Sequence, residues 1–364
     1  MSKITSIATA NPPYGHSQDA LFAFADKVYS RDATESRKLK FVYRQSGIDS
    51  RYSVLKDFGL PAAERTFFST SEDLEPFPTL EQRMACFNET SVGLSTHCIE
   101  DCLDGKLEPA AITHLITVSC TGMSAPGLDL QIMEAMNLSP NLHRTSVNFM
   151  GCYAAIHALK LADAFCHSAE TVNVVVVCTE LCTLHFQKEI THNNIMSSLL
   201  FSDGCAAMLI QNNTRHKGFT LQNFFSEVSF KGKTDMSWEL SSKGFLMTLT
   251  VYVPELIKED FDGLVSRALQ DAGKTKDDVT HWCIHPGGKK ILQVIEESLG
   301  LEADDLHHSY DILREFGNMS SASIVFVLQQ IWRELVNTQT ETARVFGAAF
   351  GPGLTMETFL ATYD

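Results

Sequence analysis

Residues 147–157, VNFMGCYAAIH, constrain this chain more than any other stretch. A β-branched and aromatic run reaches Met150, one glycine follows, and Cys152 opens the small, apolar, helix-like segment YAAIHALKLADAF. The pattern predicts a cysteine at a strand-to-helix corner. There the first helical N–H groups are unpaired and the helix dipole favours negative charge, so Cys152 is expected to titrate below a free thiol and to serve as a nucleophile. In the helix, His157, Lys160 and Asp163 recur every third position and leave the remaining faces apolar, which predicts a largely buried helix under the thiol. A lone Gly-Cys pair is equally a pattern of core cysteines, so other residues must decide between the two readings.

The size and composition narrow the field. A chain of 364 residues holds one large domain or two packed halves, and 44% hydrophobic with 20% charged residues describes a globular protein. A net charge of -15 argues against nucleic acid and against anionic membranes as partners. The amino-terminal residues lack the apolar run of a signal peptide, and no segment approaches the roughly 20 apolar residues that span a bilayer, so a cytoplasmic location without membrane insertion is expected. Ten cysteines with no CxxC pair do not make a disulfide framework. Cys98/Cys102 and Cys178/Cys182 are spaced by four but lack accompanying histidines, so no metal site is expected of them.

Strand and helix patterns alternate along the chain, the signature of layered α/β architecture. Residues 18–30 read as an amphipathic helix, and the basic segment after it contains Lys38, Lys40 and Arg44. Thr79 and Gln82 have capping-box spacing at the head of a helix reaching Asp104, with Met84, Phe87, Ser91, Leu94, Cys98 and Cys102 on one stripe and Gly105 at its end. Strands follow at 112–119, 171–178 and 205–212; the polar run 213–218 divides the chain into halves 1–214 and 215–364. The second half offers strand-rich stretches at 219–230 and 245–252, a helix over 254–273, and strand 280–285 running into HPGG. A helix follows, then loop EFGN opening another helix, and two short strands around Gly351, Pro352 and Gly353 close the chain.

His285 ends a strand, and Asn318 precedes a helix where asparagine is a favoured cap. Each alone has a structural explanation. Together with Cys152 they supply a nucleophile, a proton partner and a neutral hydrogen-bond donor.

Cys152 in NFMGCYAA, His285 in HPGG, Asn318 in FGNMSSAS and the closing FGAAFGPGLTMET resemble the type III polyketide synthases, the chalcone-synthase-like family. The similarity also covers ITSIATANPP, LLFSDGCAA and GFLMTLTVYVP. It implies the thiolase fold, two similar α/β halves in a five-layered αβαβα arrangement, and a homodimer. Cys152 would carry an acyl group taken from acyl-CoA, and His285 and Asn318 would stabilise the enolate formed when malonyl-CoA loses carbon dioxide. No metal or redox cofactor is required. By the same resemblance Phe201 is a gatekeeper, and Met247 stands where the family has a second gatekeeper phenylalanine. Cys120 and Cys182 replace threonines and His185 lies near a third, which favours an aliphatic starter. Ala125 would reach the partner subunit's pocket, and Ser320 and the 351–353 turn would line the cavity. The cluster Lys38, Lys40 and Arg44 would hold the CoA phosphates with Lys289 and Lys290, unless these cations are merely solvated helix faces. The implied activity is iterative decarboxylative condensation giving an alkylpyrone or alkylresorcinol. A single-condensation enzyme like ketoacyl synthase III, or a cysteine acyl-CoA thioesterase, are the alternatives.

Overall fold

The computed structural model describes residues 1–212, 214–302 and 304–364; the first position of the polar run 213–218 thus lies outside the described residues. The first half contains β1 (Ser2–Ala10), β2 (Tyr14–Ser17), α1 (Gln18–Tyr29), α2 (Ala33–Gln45), β3 (Ser50–Ser53), α3 (Leu80–Leu103) and β4 (His114–Ser119). It continues with α4 (Leu128–Ala135), β5 (His143–Asn148), α5 (Ala154–Cys166), β6 (Asn173–Leu181), α6 (His192–Leu200) and β7 (Asp203–Asn212). The second half begins with β8 (Phe219–Val228), β9 (Met236–Ser241), β10 (Gly244–Leu249), α7 (Val253–Asp271) and β11 (His281–Ile284). It ends with α8 (Lys289–Leu299), α9 (His307–Phe316), α10 (Ala322–Asn337), β12 (Ala343–Gly351) and β13 (Thr355–Tyr363).

One nine-stranded sheet runs in the order β11-β12-β13-β8-β1-β7-β6-β4-β5. From β1 outward the pairings are antiparallel, antiparallel, parallel and parallel; from β8 outward they are antiparallel, antiparallel and parallel. The halves therefore repeat one strand plan, joined where β1 meets β8 through Lys3–Thr220 and Ile4–Phe219. Alternation along β6 shows how the layers form. Val174, Val176 and Cys178 pack with α5 and α10, whereas Val175 and Val177 pack with Cys98, Ile99 and Cys102 of α3. In β12, Val345 and Ala349 join the inner cluster, while Phe346, Ala348 and Phe350 join the outer one with α7 and α8. The two halves of the one sheet thus form two layers, with α5 and α10 packed on their inner faces, α3 outside the first and α7 and α8 outside the second, the thiolase arrangement.

α5 is buried through Ala154, Ala155, Ile156, Ala158, Leu159 and Ala162, whose small side chains let strands approach closely. Two of its polar residues are accommodated by partners: Lys160 pairs with Glu357 at 2.5 Å and Asp163 accepts from Ser2 Oγ. α3 starts at the expected capping box, with Thr79 Oγ1 accepting from Gln82 N–H and Gln82 Oε1 accepting from Thr79 N–H. The closing strands are nine residues each rather than short, paired from Ala343–Tyr363 to Gly351–Thr355. Several elements escape the sequence reading altogether, among them the central strand β1, the short strands β2, β3 and β9, and helices α6 and α9. Among the described residues no helix is long and apolar enough to cross a membrane.

Thr79→Ala removes an N-cap and is expected to cost about 1 kcal/mol, read as a lowered denaturation midpoint with unchanged far-UV circular dichroism.

Candidate active site

Three chain corners deliver the proposed reactive groups. Cys152 follows β5 and precedes α5, in a turn where Gly151 has φ +80°. A Cβ on Gly151 would stand 2.2 Å from Pro352 Cδ, so the closing turn and the cysteine turn pack so tightly that only glycine fits. His285 directly follows β11, and its N–H donates to the Ala348 carbonyl at 2.9 Å. Asn318 follows Gly317 (φ +68°) at the end of α9. It does not cap α10, which begins at Ala322; instead Oδ1 accepts from Ser320 N–H at 2.9 Å, while Nδ2 donates to the Gly287 carbonyl at 3.3 Å. Those partners fix the amide's orientation and leave its second N–H on the Cys152 side, where it can donate.

Cys152, His285 and Asn318 line one cavity of about 660 Å³. Its other walls include Cys120, Cys182, Phe201, Met236, Trp238, Met247, Leu249, Phe350 and Pro352, so it is largely apolar. Ser320 also lines it. Four of these residues, Cys182, Phe201, Trp238 and Met247, also wall a second cavity of about 710 Å³ that runs under α1 and α6. Met247 sits opposite Trp238 in the β9–β10 hairpin, and Trp238 Nε1 donates to the Cys120 carbonyl at 2.6 Å.

The expected activation of Cys152 by a helix end is overturned. Burial pushes the thiol up to about 12, and the Glu180 carboxylate acts in the same direction; side-chain hydrogen bonding with Ser320 and Asn318 opposes both. Burial likewise pushes the His285 imidazole down to about 3. Desolvation in an apolar cavity disfavours the charged form of each group. The resting pair is a neutral thiol and a neutral imidazole, and both ring nitrogens of His285 lack a hydrogen-bond partner. Such an imidazole is free to take the thiol proton as sulfur attacks a thioester, and then to offer a donor beside Asn318.

Other predicted positions scatter more widely. His185 lines only the second cavity; its Nε2 donates to the Thr121 carbonyl at 2.8 Å, its Nδ1 accepts from Phe245 N–H at 3.1 Å, and burial lowers it to about 3. With both nitrogens satisfied it is a fixed neutral wall. Of the 351–353 turn only Pro352 lines the site cavity; Gly351 makes room for Tyr153, and Gly353 takes φ +74°. Ala125 borders a separate surface hollow with Pro126 and Arg144. Lys289 and Lys290 stand at the head of α8 on a larger opening of about 970 Å³, which shares Leu249, Gly287 and Ile291 with the site cavity. Val42, Gln45 and Ser46 form its other rim. Lys38 precedes Val42 by four and Gln45 by seven on that helix face, but Lys40 turns towards Phe22, 5.6 Å from its ring, and Arg44 lies on the same side as Lys40.

The sequence reading missed Glu180 and Arg51. Glu180 is fully buried in β6, accepting from Ser321 Oγ at 2.6 Å, Cys120 N–H at 2.9 Å and Thr121 Oγ1 at 3.0 Å, and burial lifts it to about 7. A carboxyl inside VVVVCTEL was the available signal, since acidic residues are almost never fully buried without dedicated partners. Arg51 is 4% exposed and donates to the Phe201 carbonyl at 2.6 Å.

Both halves of the chain match known proteins. Residues 2–214 match the family model for the N-terminal domain of chalcone and stilbene synthases, and residues 220–362 match that for the C-terminal domain. The α-pyrone synthesis polyketide synthase-like Pks18 of Mycobacterium tuberculosis is 33% identical over 292 residues, covering 78% of this chain and 73% of the relative. The crystal structure of PKS-I from the brown alga Ectocarpus siliculosus superposes with a TM-score of 0.92 at 26% identity, covering 100% of this chain and 98% of that one. The C-terminal type III polyketide synthase domain of Steely1 from Dictyostelium gives 0.90 at 26% identity, covering 100% and 99%.

Glu180→Ala would orphan three buried donors and is expected to cost about 2–3 kcal/mol, with Glu180→Gln costing less because its carbonyl retains part of the network; chemical denaturation of both variants measures the difference.

Proposed function

The chain belongs to the chalcone and stilbene synthase family, the type III polyketide synthases, and we propose that it condenses an aliphatic acyl-CoA starter with successive malonyl-CoA units. The observation that carries this reading is the meeting of Cys152, His285 and Asn318 on one largely apolar cavity. The starter thioester enters past Lys289 and Lys290, where the head of α8 and two cations suit CoA phosphates. Cys152 sulfur attacks the thioester carbonyl while His285 accepts its proton; the carbonyl–sulfur bond to CoA then breaks and His285 returns the proton to the departing CoA thiolate. Malonyl-CoA then places its thioester oxygen between His285 and the second N–H of Asn318. Loss of carbon dioxide puts negative charge on that oxygen, where both groups donate to it. The resulting enolate carbon attacks the Cys152 thioester carbonyl, the carbon–sulfur bond to Cys152 breaks, and the chain, two carbons longer, is left on the CoA of the malonyl unit, from which it returns to Cys152 for the next extension. None of these steps calls for a metal or redox cofactor.

The apolar walls and the adjoining second cavity favour an alkyl chain over a polar aromatic starter. Closure of the extended chain then yields an alkylpyrone or alkylresorcinol; the α-pyrone activity in the name of the mycobacterial relative favours the pyrone. A homodimer is part of the proposal, supported by the exposed apolar Met123 and Leu130 flanking the Ala125 loop. A cytoplasmic setting, where CoA thioesters are made, completes it.

Incubation with an acyl-CoA panel and labelled malonyl-CoA is expected to release carbon dioxide and give products of several added two-carbon units. A single condensation would indicate ketoacyl synthase III-like chemistry, and starter hydrolysis without malonyl-CoA a thioesterase. Cys152→Ala should abolish acyl loading seen by intact mass, whereas Asn318→Ala should load normally yet decarboxylate ~10²–10³-fold more slowly. Met247→Phe should narrow the passage between the two cavities, shifting the preferred starter to shorter chains in the same panel without impairing loading of the shortest ones.

A further inference from the structure

α9 and α10 form an antiparallel hairpin whose turn carries Asn318, and at its other end three potential metal ligands gather. His308 Nε2 lies 2.5 Å from Glu334 Oε2, and His307 Nε2 lies 3.9 Å from the same oxygen. One ligand atom from each residue falls within 4.8 Å of the other two, a convergence that no other histidine, cysteine or acidic group of three shows among the described residues. The side chains of His308, Glu334 and His307 are 14%, 35% and 39% exposed, held on one side and open to solvent on the other.

The hydrogen bonding sets which ring nitrogen of His307 faces the cluster. His307 Nδ1 is 2.6 Å from the Asp304 carbonyl, which can only accept, so Nδ1 carries a proton and Nε2 is the ring atom turned towards Glu334. A backbone carbonyl holding Nδ1–H is also the outer contact that orients an imidazole for coordination through Nε2. His281, at the start of β11, is close enough to interact electrostatically with all three groups.

We propose that His307, His308 and Glu334 bind one divalent transition-metal ion of the zinc class, with water at a fourth position. Two imidazoles and a carboxylate suit zinc, cobalt or nickel and do not suit magnesium or calcium, which prefer oxygen ligands throughout. On binding, the proton that His308 Nε2 shares with Glu334 moves to its own Nδ1 or to solvent, and the ion takes its place. The site is separate from the Cys152 cavity, none of whose lining residues it uses. Its effect is mechanical: the ion ties the first turn of α9 to the last turns of α10, closing the open end of the hairpin that holds Asn318.

The test is titration of the metal-stripped full-length protein with cobalt(II). One equivalent should bind with the visible absorption of a tetrahedral ion and no thiolate charge-transfer band, zinc should displace it, and zinc should raise the melting midpoint. His307→Ala should abolish the signal, Glu334→Gln should weaken binding at least about tenfold, and Cys152→Ala should leave it unchanged. If His307→Ala lowers the metal-free melting midpoint, His307→Gln replaces it. The absence of a stoichiometric signal overturns the proposal, as does binding that survives both the His307 and Glu334 substitutions or is lost in Cys152→Ala.

Discussion

The site depends on a pair of backbone hydrogen bonds between the two halves. Asn318 N–H donates to the Leu200 carbonyl and Ser202 N–H donates to the Asn318 carbonyl, each at 2.9 Å, so Phe201 and Asn318 lie side by side as a two-strand bridge. Gly317 makes the approach possible: a Cβ there would meet Arg51 side-chain carbons at 2.8 Å and the Leu200 carbonyl oxygen at 3.0 Å. Arg51 in turn holds the Phe201 carbonyl. The amide that would bind the enolate oxygen and the aromatic that walls the cavity are consequently one unit, and neither can shift without the other.

Buried carboxylates extend this joining. Glu180 in the first half accepts from Ser321 at the head of α10, while Asp203 accepts from Val54 N–H at 2.9 Å and Thr183 N–H at 2.7 Å, tying loops beneath the second cavity. Burial raises both, Glu180 to about 7 and Asp203 to about 6. The same dryness keeps Cys152 and His285 neutral at rest. An apolar cavity that suits an alkyl chain therefore also delays charge separation until a substrate carbonyl is present to receive it.

Much of this was legible in residue order because much of it is local. The Thr79–Gln82 capping box, the Gly-Cys corner and the HPGG turn are each written within a few residues. β1 was not legible: a register shift between Ile4 and Ser6 breaks the alternation that marks a strand. α9 was missed because HHSYDILREF shows only a narrow apolar stripe, Ile312 and Leu313 being its buried large side chains. The ionisation of Cys152 was misjudged for a deeper reason. The helix dipole can be inferred from neighbours in the chain, but desolvation comes from Phe201, Met247, Trp238 and Phe350, which only tertiary packing brings to the sulfur. Convergence of Cys152, His285 and Asn318 likewise has no local signature and was foreseen only through family resemblance.

The central place of β1 bears on how the protein emerges from synthesis. Its main partner, β7, begins at Asp203, and its other neighbour, β8, begins at Phe219. At typical ribosomal rates the first strand waits on the order of 10–40 s for those residues to exist. Through that interval it is an unpaired segment of threonine, serine and aliphatic residues, SKITSIATA, open to pairing with a neighbouring nascent chain. The strand that unites the finished sheet is thus the one most in need of shielding while the chain is being made.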